Sequence, residues 1–272
     1  MVQVDLITGF LGAGKTTFLR RYVAYLTAQG HHVCILENDF GAVNVDAMLV
    51  QDLLGERCEI ETISGGCDCD THQRRMRTKL ISMAMRGFDR VVVEPSGIFD
   101  VDEFFDVLRD EPLDRWYTLG NVFAVVDALL PETLSPQAEY ILASEAASAG
   151  RILLSRSQLA TQAQRESAID HLKRALAACK CSRTLTEEDF LIKDWADLED
   201  VDLAALDACG YQHADCGRVL RVKGFVQDAA GWVELNATAD GLTAAPIPAG
   251  QEVLIVIGEG LDKERIEAVL RN

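Results

Sequence analysis

Between a β-branched run, Val2 to Ile7, and a helix-forming segment that opens at Lys15 stands Gly9-Phe10-Leu11-Gly12-Ala13-Gly14-Lys15-Thr16. The spacing is that of the P-loop, G-x-x-x-x-G-K-[ST], and it occurs where that loop has to occur, directly after a strand and at the first turn of a helix. Glycines let backbone N–H groups turn inward around phosphate oxygens, and the partial positive charge of a helix N-terminus falls at the same point. Gly9, Gly12, Ala13, Gly14 and Thr17 are therefore expected to line the phosphates. Lys15 is placed to reach the β and γ phosphates, and the Thr16 hydroxyl to bind Mg2+.

A strand feeding a helix through such a loop demands a sheet for the strand to join. Further short β-branched runs supply it at Val33 to Leu36, Arg90 to Val93, Val122 to Val126 and Ile152 to Leu154. Amphipathic segments lie between them at Lys15 to Gln29, Thr71 to Met85, Val101 to Leu108, Pro136 to Ser148 and Gln158 to Ala178. The alternation predicts an α/β fold of the P-loop NTPase kind, a mainly parallel sheet flanked by helices on both faces. From Thr184 to Asp215 the chain turns acidic and less periodic, as a connection with room for one helix. Strand patterns resume at Arg218 to Val226, Trp232 to Asn236 and Glu252 to Ile257, closed by a helix at Lys263 to Leu270. The expected organisation is a nucleotide-binding domain over 1–183, a connecting segment over 184–215 and a small α+β domain over 216–272.

Charge and cysteine usage narrow the function classes. A formal net charge of −17 over 272 residues repels polyanions, so nucleic acid and anionic lipid surfaces are disfavoured as partners. The first residues form a strand rather than a basic and apolar leader, and no later stretch is apolar for long enough to span a bilayer, so a cytoplasmic protein is expected. Eight cysteines scattered through a chain of this size read as thiols or metal ligands rather than a disulfide framework.

A phosphoryl-transfer site needs a second acidic element at the end of a neighbouring strand, and Val91-Val92-Val93-Glu94-Pro95-Ser96-Gly97 offers one. Glu94 is the candidate for a water-mediated Mg2+ contact. Gly97 lets the backbone approach the γ-phosphate, which gives hydrolysis a lever on the loop that follows.

Three segments together resemble the CobW-like branch of the metal-chaperone P-loop GTPases, the CobW/HypB/UreG type. They are Gly9 to Thr17, Glu37-Asn38-Asp39-Phe40-Gly41 with Val43-Asn44-Val45-Asp46, and Glu94-Pro95-Ser96-Gly97. Arg221-Val222-Lys223-Gly224-Phe225, Trp232 and Val256-Ile257-Gly258 are similar to the small domain such proteins carry. The resemblance implies GTP hydrolysis that drives delivery of Zn2+, Co2+ or a related ion to a client metalloprotein. It also allows a homodimer. Glu37 and Asp39 fall in the kind of loop that positions attacking water.

Two departures from the family pattern bear on chemistry. The family's metal motif is Cys-x-Cys-Cys, whereas here the segment reads Gly66-Cys67-Asp68-Cys69-Asp70. In an extended segment Cys67 and Cys69 point the same way and can share one ion, and two thiolates with oxygen or nitrogen partners suit Zn2+. His72 is the natural third ligand, and Asp70, Asp68 or the distant Glu37 completes the set. Cys179-Lys180-Cys181 has the same spacing with no motif around it, so spacing alone is weak evidence.

The second departure lies after Ile152-Leu153-Leu154, where the Asn-Lys-x-Asp of guanine recognition is replaced by Ser155-Arg156-Ser157-Gln158. An aspartate carboxylate accepts from guanine N1–H and from its exocyclic amine, while Gln158 has one acceptor oxygen and an amide that only donates. Losing one such contact is worth about 1–3 kcal/mol. Arg156 can still lay its guanidinium plane on a base, so nucleotide binding stands, with GTP expected and ATP open.

Other residues have plainer readings. Arg74, Arg75, Arg77 and Lys79 are expected to form a solvated helix face, His31, His32 and His213 to be turn or surface residues, and Phe104, Phe105 and Trp116 to pack in the core. The leading reading is a metal-coupled hydrolase. The alternatives are a nucleotide-switch binding module whose cysteines carry no metal, and an ATP-using P-loop kinase.

Overall fold

The computed structural model describes residues 1–10, 12–39, 49–64, 69–97, 101–131, 133–192, 201–212, 218–228, 231–238, 241–248, 250, 252–259 and 266. In chain order these form β1 (Val2–Thr8), α1 (Lys15–Ala28), β2 (Val33–Asp39), β3 (Cys58–Ser64), α2 (Cys69–Arg86), β4 (Arg90–Glu94), α3 (Val101–Arg109), α4 (Leu113–Trp116) and β5 (Tyr117–Asp127). There follow α5 (Pro136–Ser148), β6 (Arg151–Ser155), α6 (Gln162–Ala178), β7 (Phe190–Leu191), α7 (Leu203–Leu206), β8 (Arg218–Asp228), β9 (Gly231–Thr238), β10 (Gly241–Ile247) and β11 (Val253–Glu259).

Seven strands form one sheet in the order β3-β2-β4-β1-β5-β6-β7, and each described pairing is parallel. Strands buried on both faces read as continuous apolar runs, and β4 shows it, with all five residues of Arg90-Val91-Val92-Val93-Glu94 buried. Successive side chains leave a strand on opposite faces. Thus Leu6, Val91, Val93, Ala124 and Leu154 pack with Met76 and Leu80 of α2, Phe104 of α3, Leu142 of α5 and Leu172 of α6. Ile7, Ile35, Val92, Phe123 and Leu153 meet Phe18, Leu19, Tyr22 and Leu26 of α1 on the other side. The result is three layers, as the alternation predicted.

Several boundaries differ from the sequence expectation, each for a local reason. β3 was not expected, because Glu59 and Glu61 break its apolar pattern. Those carboxylates are paired from α2, where Lys79 Nζ donates to Glu61 Oε2 at 2.7 Å and Arg86 pairs with both. Lys79 is therefore an anchor for the edge strand rather than part of a solvated face, whereas Arg74 and Arg75 are exposed. Helix α6 begins at Gln162, not Gln158, because Thr161 and Gln164 form a reciprocal capping box, and Leu159 N closes a turn on Arg156 O at 2.9 Å.

The segment read as a connection contributes to the first core. Its β7 pairs with β6, and Val201 and Leu206 pack beneath the sheet on the α1 side. Asp207 then enters a buried polar cluster. The Arg90 guanidinium bridges Asp5 at 2.6 Å and Asp207, the Tyr22 hydroxyl donates to Asp207 at 2.6 Å, and Asn121 N donates to Asp5 Oδ1 at 2.7 Å. A β-bulge in β5, where the register with β1 shifts between Val4 and Leu6, brings Asn121 to this position. Asn121 Oδ1 also accepts from Gly210 N at 2.8 Å, which pins the chain before it continues towards β8.

The second sheet is antiparallel, in the order β10-β9-β8-β11. Its β10 was not expected because it contains Pro246; proline is tolerated there since β10 lies at the sheet edge. The helix expected at Lys263 to Leu270 lies outside the described residues except for Ile266, which is helical.

Candidate nucleotide site

In an open parallel sheet, ligands bind outside the carboxyl ends of the strands where the strand order reverses. Here that point is beside β1: β2 and β3 lie beyond β4 on one side, and β5, β6 and β7 follow on the other. The loop from Gly9 to Gly14 leaves β1 there and opens directly into α1. Gly9 has φ 142°, and a Cβ on it would lie 2.2 Å from the carbonyl oxygen of Val125, so the loop sits flush against β5 only with glycine at that position. Gly14, in the left-handed region at φ 100°, caps α1 without a side-chain hydrogen bond. That leaves the N–H groups of the first turn directed at the loop.

Lys15 is 7 % exposed, and its ammonium donates to Gly9 O at 2.8 Å and Phe10 O at 3.3 Å. The cation is thus held over the loop that surrounds it. Thr16 Oγ1 donates to Glu94 Oε1 at 2.8 Å, which ties the start of α1 to the end of β4. Glu37, buried near the end of β2, stands opposite Glu94 in the parallel register. Ala13 is buried, and Thr17 is exposed at the surface of α1. Gly97 follows β4 by three residues. Asp39 ends β2, so that it and Glu37 belong to the strand rather than to the loop expected for them, and the Asp39 side chain lies outside the described residues.

On the far side of the loop, Arg156 adopts a left-handed φ of 54° and donates from Nη2 to Gly12 O at 2.8 Å while pairing with Asp127. Asp127 Oδ1 in turn accepts from Leu129 N at 2.9 Å. Gln158 is exposed in the turn that follows. Sequence reasoning passed over Asp127, although an acid ending the run Val122 to Val126 carries the same signal that singled out Glu94. It also passed over Glu145, fully buried in α5, which accepts from Thr8 Oγ1 at 3.0 Å one residue before the loop. A carboxylate on an amphipathic helix gives no hint that it points inward.

The metal segment is only partly visible. Cys67, Asp68 and the side chains of Cys69, Asp70 and His72 lie outside the described residues, but the backbone of Cys69 opens α2. The extended geometry expected through Cys69 is therefore corrected: Cys69 and His72 stand three positions apart within one helical turn, where the period is 3.6 rather than 2. Among the described residues, no group of three or more His, Cys, Asp or Glu side chains is arranged to hold an ion. Burial pushes the thiols of Cys34, Cys58 and Cys209 up to about 12, 11 and 12, so they are protonated at neutral pH. Cys179 and Cys181 flank Lys180, whose φ of 52° ends α6, with Cys181 N returning to Leu176 O at 2.9 Å. A helix stop accounts for their spacing.

The histidine and aromatic readings divide. His31 N bonds Leu26 O at 3.1 Å in the turn after α1, and the His32 ring lies 4.5 Å from that of Phe88. His213 and Cys216 lie outside the described residues. Phe104 is fully buried, but Trp116 is 37 % exposed. It is a surface residue rather than a core one, and lines a concavity of about 730 Å³ with Met1, Met85 and Arg115, beside the starts of β1 and β4.

Residues 3–184 match the family described as CobW/HypB/UreG, nucleotide-binding domain, and residues 195–272 match the Cobalamin synthesis protein cobW C-terminal domain. The zinc chaperone YjiA of Escherichia coli (strain K12) is 33% identical over 174 residues, 60% of this chain and 52% of that one. The zinc chaperone YeiR of the same organism is 30% identical over 131 residues, 48% of this chain and 39% of that one. The matched region therefore spans about half or less of these relatives. A crystal structure of Zn(II)-bound YjiA GTPase from E. coli aligns over 99% of this chain and 98% of its own, with 21% identity and a TM-score of 0.40. No helix among the described residues is long and apolar enough to cross a membrane. Covered by a nucleotide-binding match that carries the P-loop and by a C-terminal match that takes in the second sheet, the chain belongs to the CobW/HypB/UreG family.

Proposed function

We propose that this chain is a Mg2+-dependent nucleoside triphosphate hydrolase, with GTP a substrate, that couples hydrolysis to binding and delivery of a transition metal of zinc or cobalt type to a client metalloprotein. The observation that carries the reading is the 2.8 Å bond between Thr16 and Glu94, which joins the P-loop to β4 beside the buried Glu37 of β2. The phosphate loop and the ends of β4 and β2 thus meet at one point.

Backbone N–H groups of Gly12 to Thr17 receive the phosphates, and Lys15 exchanges its two loop carbonyls for phosphate oxygens. The Thr16 hydroxyl and Glu94 carboxylate form a hard oxygen pair that fits Mg2+, Glu94 acting through water. The ion, when bound, offsets charge on the transferring phosphoryl group. Glu37 and Asp39 position the attacking water. Arg156, braced by Asp127, supports the base, and Gly97 lets the backbone approach the γ-phosphate so that its loss is felt in the following loop.

Cys67, Cys69 and His72 hold the cargo ion, with Asp68, Asp70 or Glu37 completing its coordination. The zinc chaperone names of the relatives support zinc as that cargo. A homodimer is compatible with this scheme. The test is Zn2+ affinity, measured by competition with a chromophoric chelator, in Mg2+ with GDP or with a non-hydrolysable GTP analogue. A difference of about fivefold or more between the two nucleotide states is expected, and it should vanish in Cys67→Ser/Cys69→Ser. Equal affinity in both states would remove the coupling.

A further inference from the structure

We infer that the carboxamide of Gln158 is the group that meets the base edge in this chain, and that the site consequently accepts adenine nucleotides nearly as well as guanine nucleotides. The inference rests on the nucleotide-hydrolase reading and deepens it.

Of the four residues Ser155 to Gln158, three are committed to the protein itself. Ser155 Oγ donates to Val126 O at 3.3 Å, and Ser155 packs against the P-loop, 3.8 Å from where a Cβ on Gly14 would stand. Ser157 is buried, and its hydroxyl donates to Leu154 O while its own carbonyl accepts from Arg165 Nη1 at 3.1 Å. Arg156 spends its guanidinium on Gly12 O and Asp127. These contacts fix the turn against the loop and leave the guanidinium a positioned plane. Stacking on such a plane tolerates any base, because every base has a π-face.

Gln158 differs from its three predecessors. It is exposed, and no hydrogen bond of its side chain is found among the described residues. It is therefore the group in this turn free to meet a base edge. A carboxylate at that position offers two acceptors, which match the two donors of guanine and oppose the ring acceptor of adenine. That opposition is what rejects the wrong base. A carboxamide carries one acceptor and an NH2 group. In one orientation it can take guanine N1–H and donate to O6. Turned over, it can take the adenine amino group and donate to N1. Rotation about the last side-chain bond is thus enough to serve either purine, and the element that excludes adenine is gone.

The experiment measures binding rather than turnover. Dissociation constants for GDP and ADP, with Mg2+, are determined by displacement of a fluorescent nucleotide from wild type, Gln158→Asp and Gln158→Ala. Wild type is expected to prefer GDP by less than about tenfold, since a group that merely fails to oppose an alternative discriminates weakly. Gln158→Asp should raise that preference by about tenfold or more, and Gln158→Ala should leave the ratio near that of wild type with both nucleotides bound more weakly. A wild-type preference for GDP above about 100-fold, or a ratio unmoved by Gln158→Asp, would overturn this inference while leaving the hydrolase reading intact. Failure to bind either nucleotide would overturn both. Thermal melts of the three proteins without nucleotide distinguish a lost contact from a lost fold.

Discussion

Replacing Gly9 by alanine would place a methyl carbon 2.2 Å from Val125 O while the backbone holds φ at 142°, and neither strand can move without breaking the register of β1 with β5. Strain and overpacking each cost about 1–3 kcal/mol, so denaturant unfolding of Gly9→Ala should show a loss of about 2–4 kcal/mol. Gly12→Ala, with nothing within 4 Å of the added carbon at φ 73°, should lose only about 1–2 kcal/mol. Lys15 acts on ligand rather than fold. Its substitution by alanine should lower nucleotide turnover by about 100-fold or more, read in a steady-state phosphate-release assay. The thiols offer a third test. Cys34, Cys58 and Cys209, kept protonated by burial, should resist alkylation at neutral pH in the native protein with or without Zn2+. Cys67 and Cys69 should be labelled in metal-stripped protein and protected by the ion, as peptide mass mapping would report.

Among the elements, the stretch from Val201 to Gln212 is held to the sheet by charge as well as by packing. Arg90→Met would leave Asp5, fully buried, without its cation, and breaking such a pair from one side costs about 3–5 kcal/mol. Asp5→Asn combined with Arg90→Met should recover part of that loss in urea unfolding. At the β3 edge of the sheet, Lys79 and Arg86 hold the Glu61 carboxyl below its ordinary range. A carboxyl depressed in the folded state stabilises above its unfolded pKa of about 4.3, and the contribution fades as pH falls through the folded value. Glu61→Gln should therefore be less stable than wild type near neutrality, and the two stability profiles should converge in acid.

Elements legible in the sequence were those whose cause is local. The P-loop with its flanking strand and helix, the buried runs of β4 and β6 and the Pro136 start of α5 all announce themselves within a few residues. Those that were missed depend on distant partners: β3 needs Lys79 and Arg86 to neutralise Glu59 and Glu61, and Asp207 gains meaning only beside Asp5, Arg90 and Tyr22. At the site, Lys15, Thr16 and Glu94 were legible because motif and strand end coincide. Asp127 carries the same strand-end signal and was passed over, whereas Glu145 sits within a helix and gains its meaning only from Thr8, 137 residues away in sequence.

For the molecule as a whole, the proposed coupling requires the nucleotide and the cargo ion to influence one another, and Glu94 and Glu37, register partners on neighbouring strands, stand beside the P-loop where nucleotide is expected. In this chain the two departures from the family pattern fall at the metal motif and the base motif, while the P-loop and the fold around it are kept. Hydrolysis of GTP by metal-stripped protein, with and without added Zn2+ and beside Cys67→Ser/Cys69→Ser, puts the central claim most directly at risk. The account predicts that Zn2+ changes the turnover of wild type and leaves that of the double variant unchanged. Turnover indifferent to Zn2+ in the wild type, with nucleotide still hydrolysed, would contradict it.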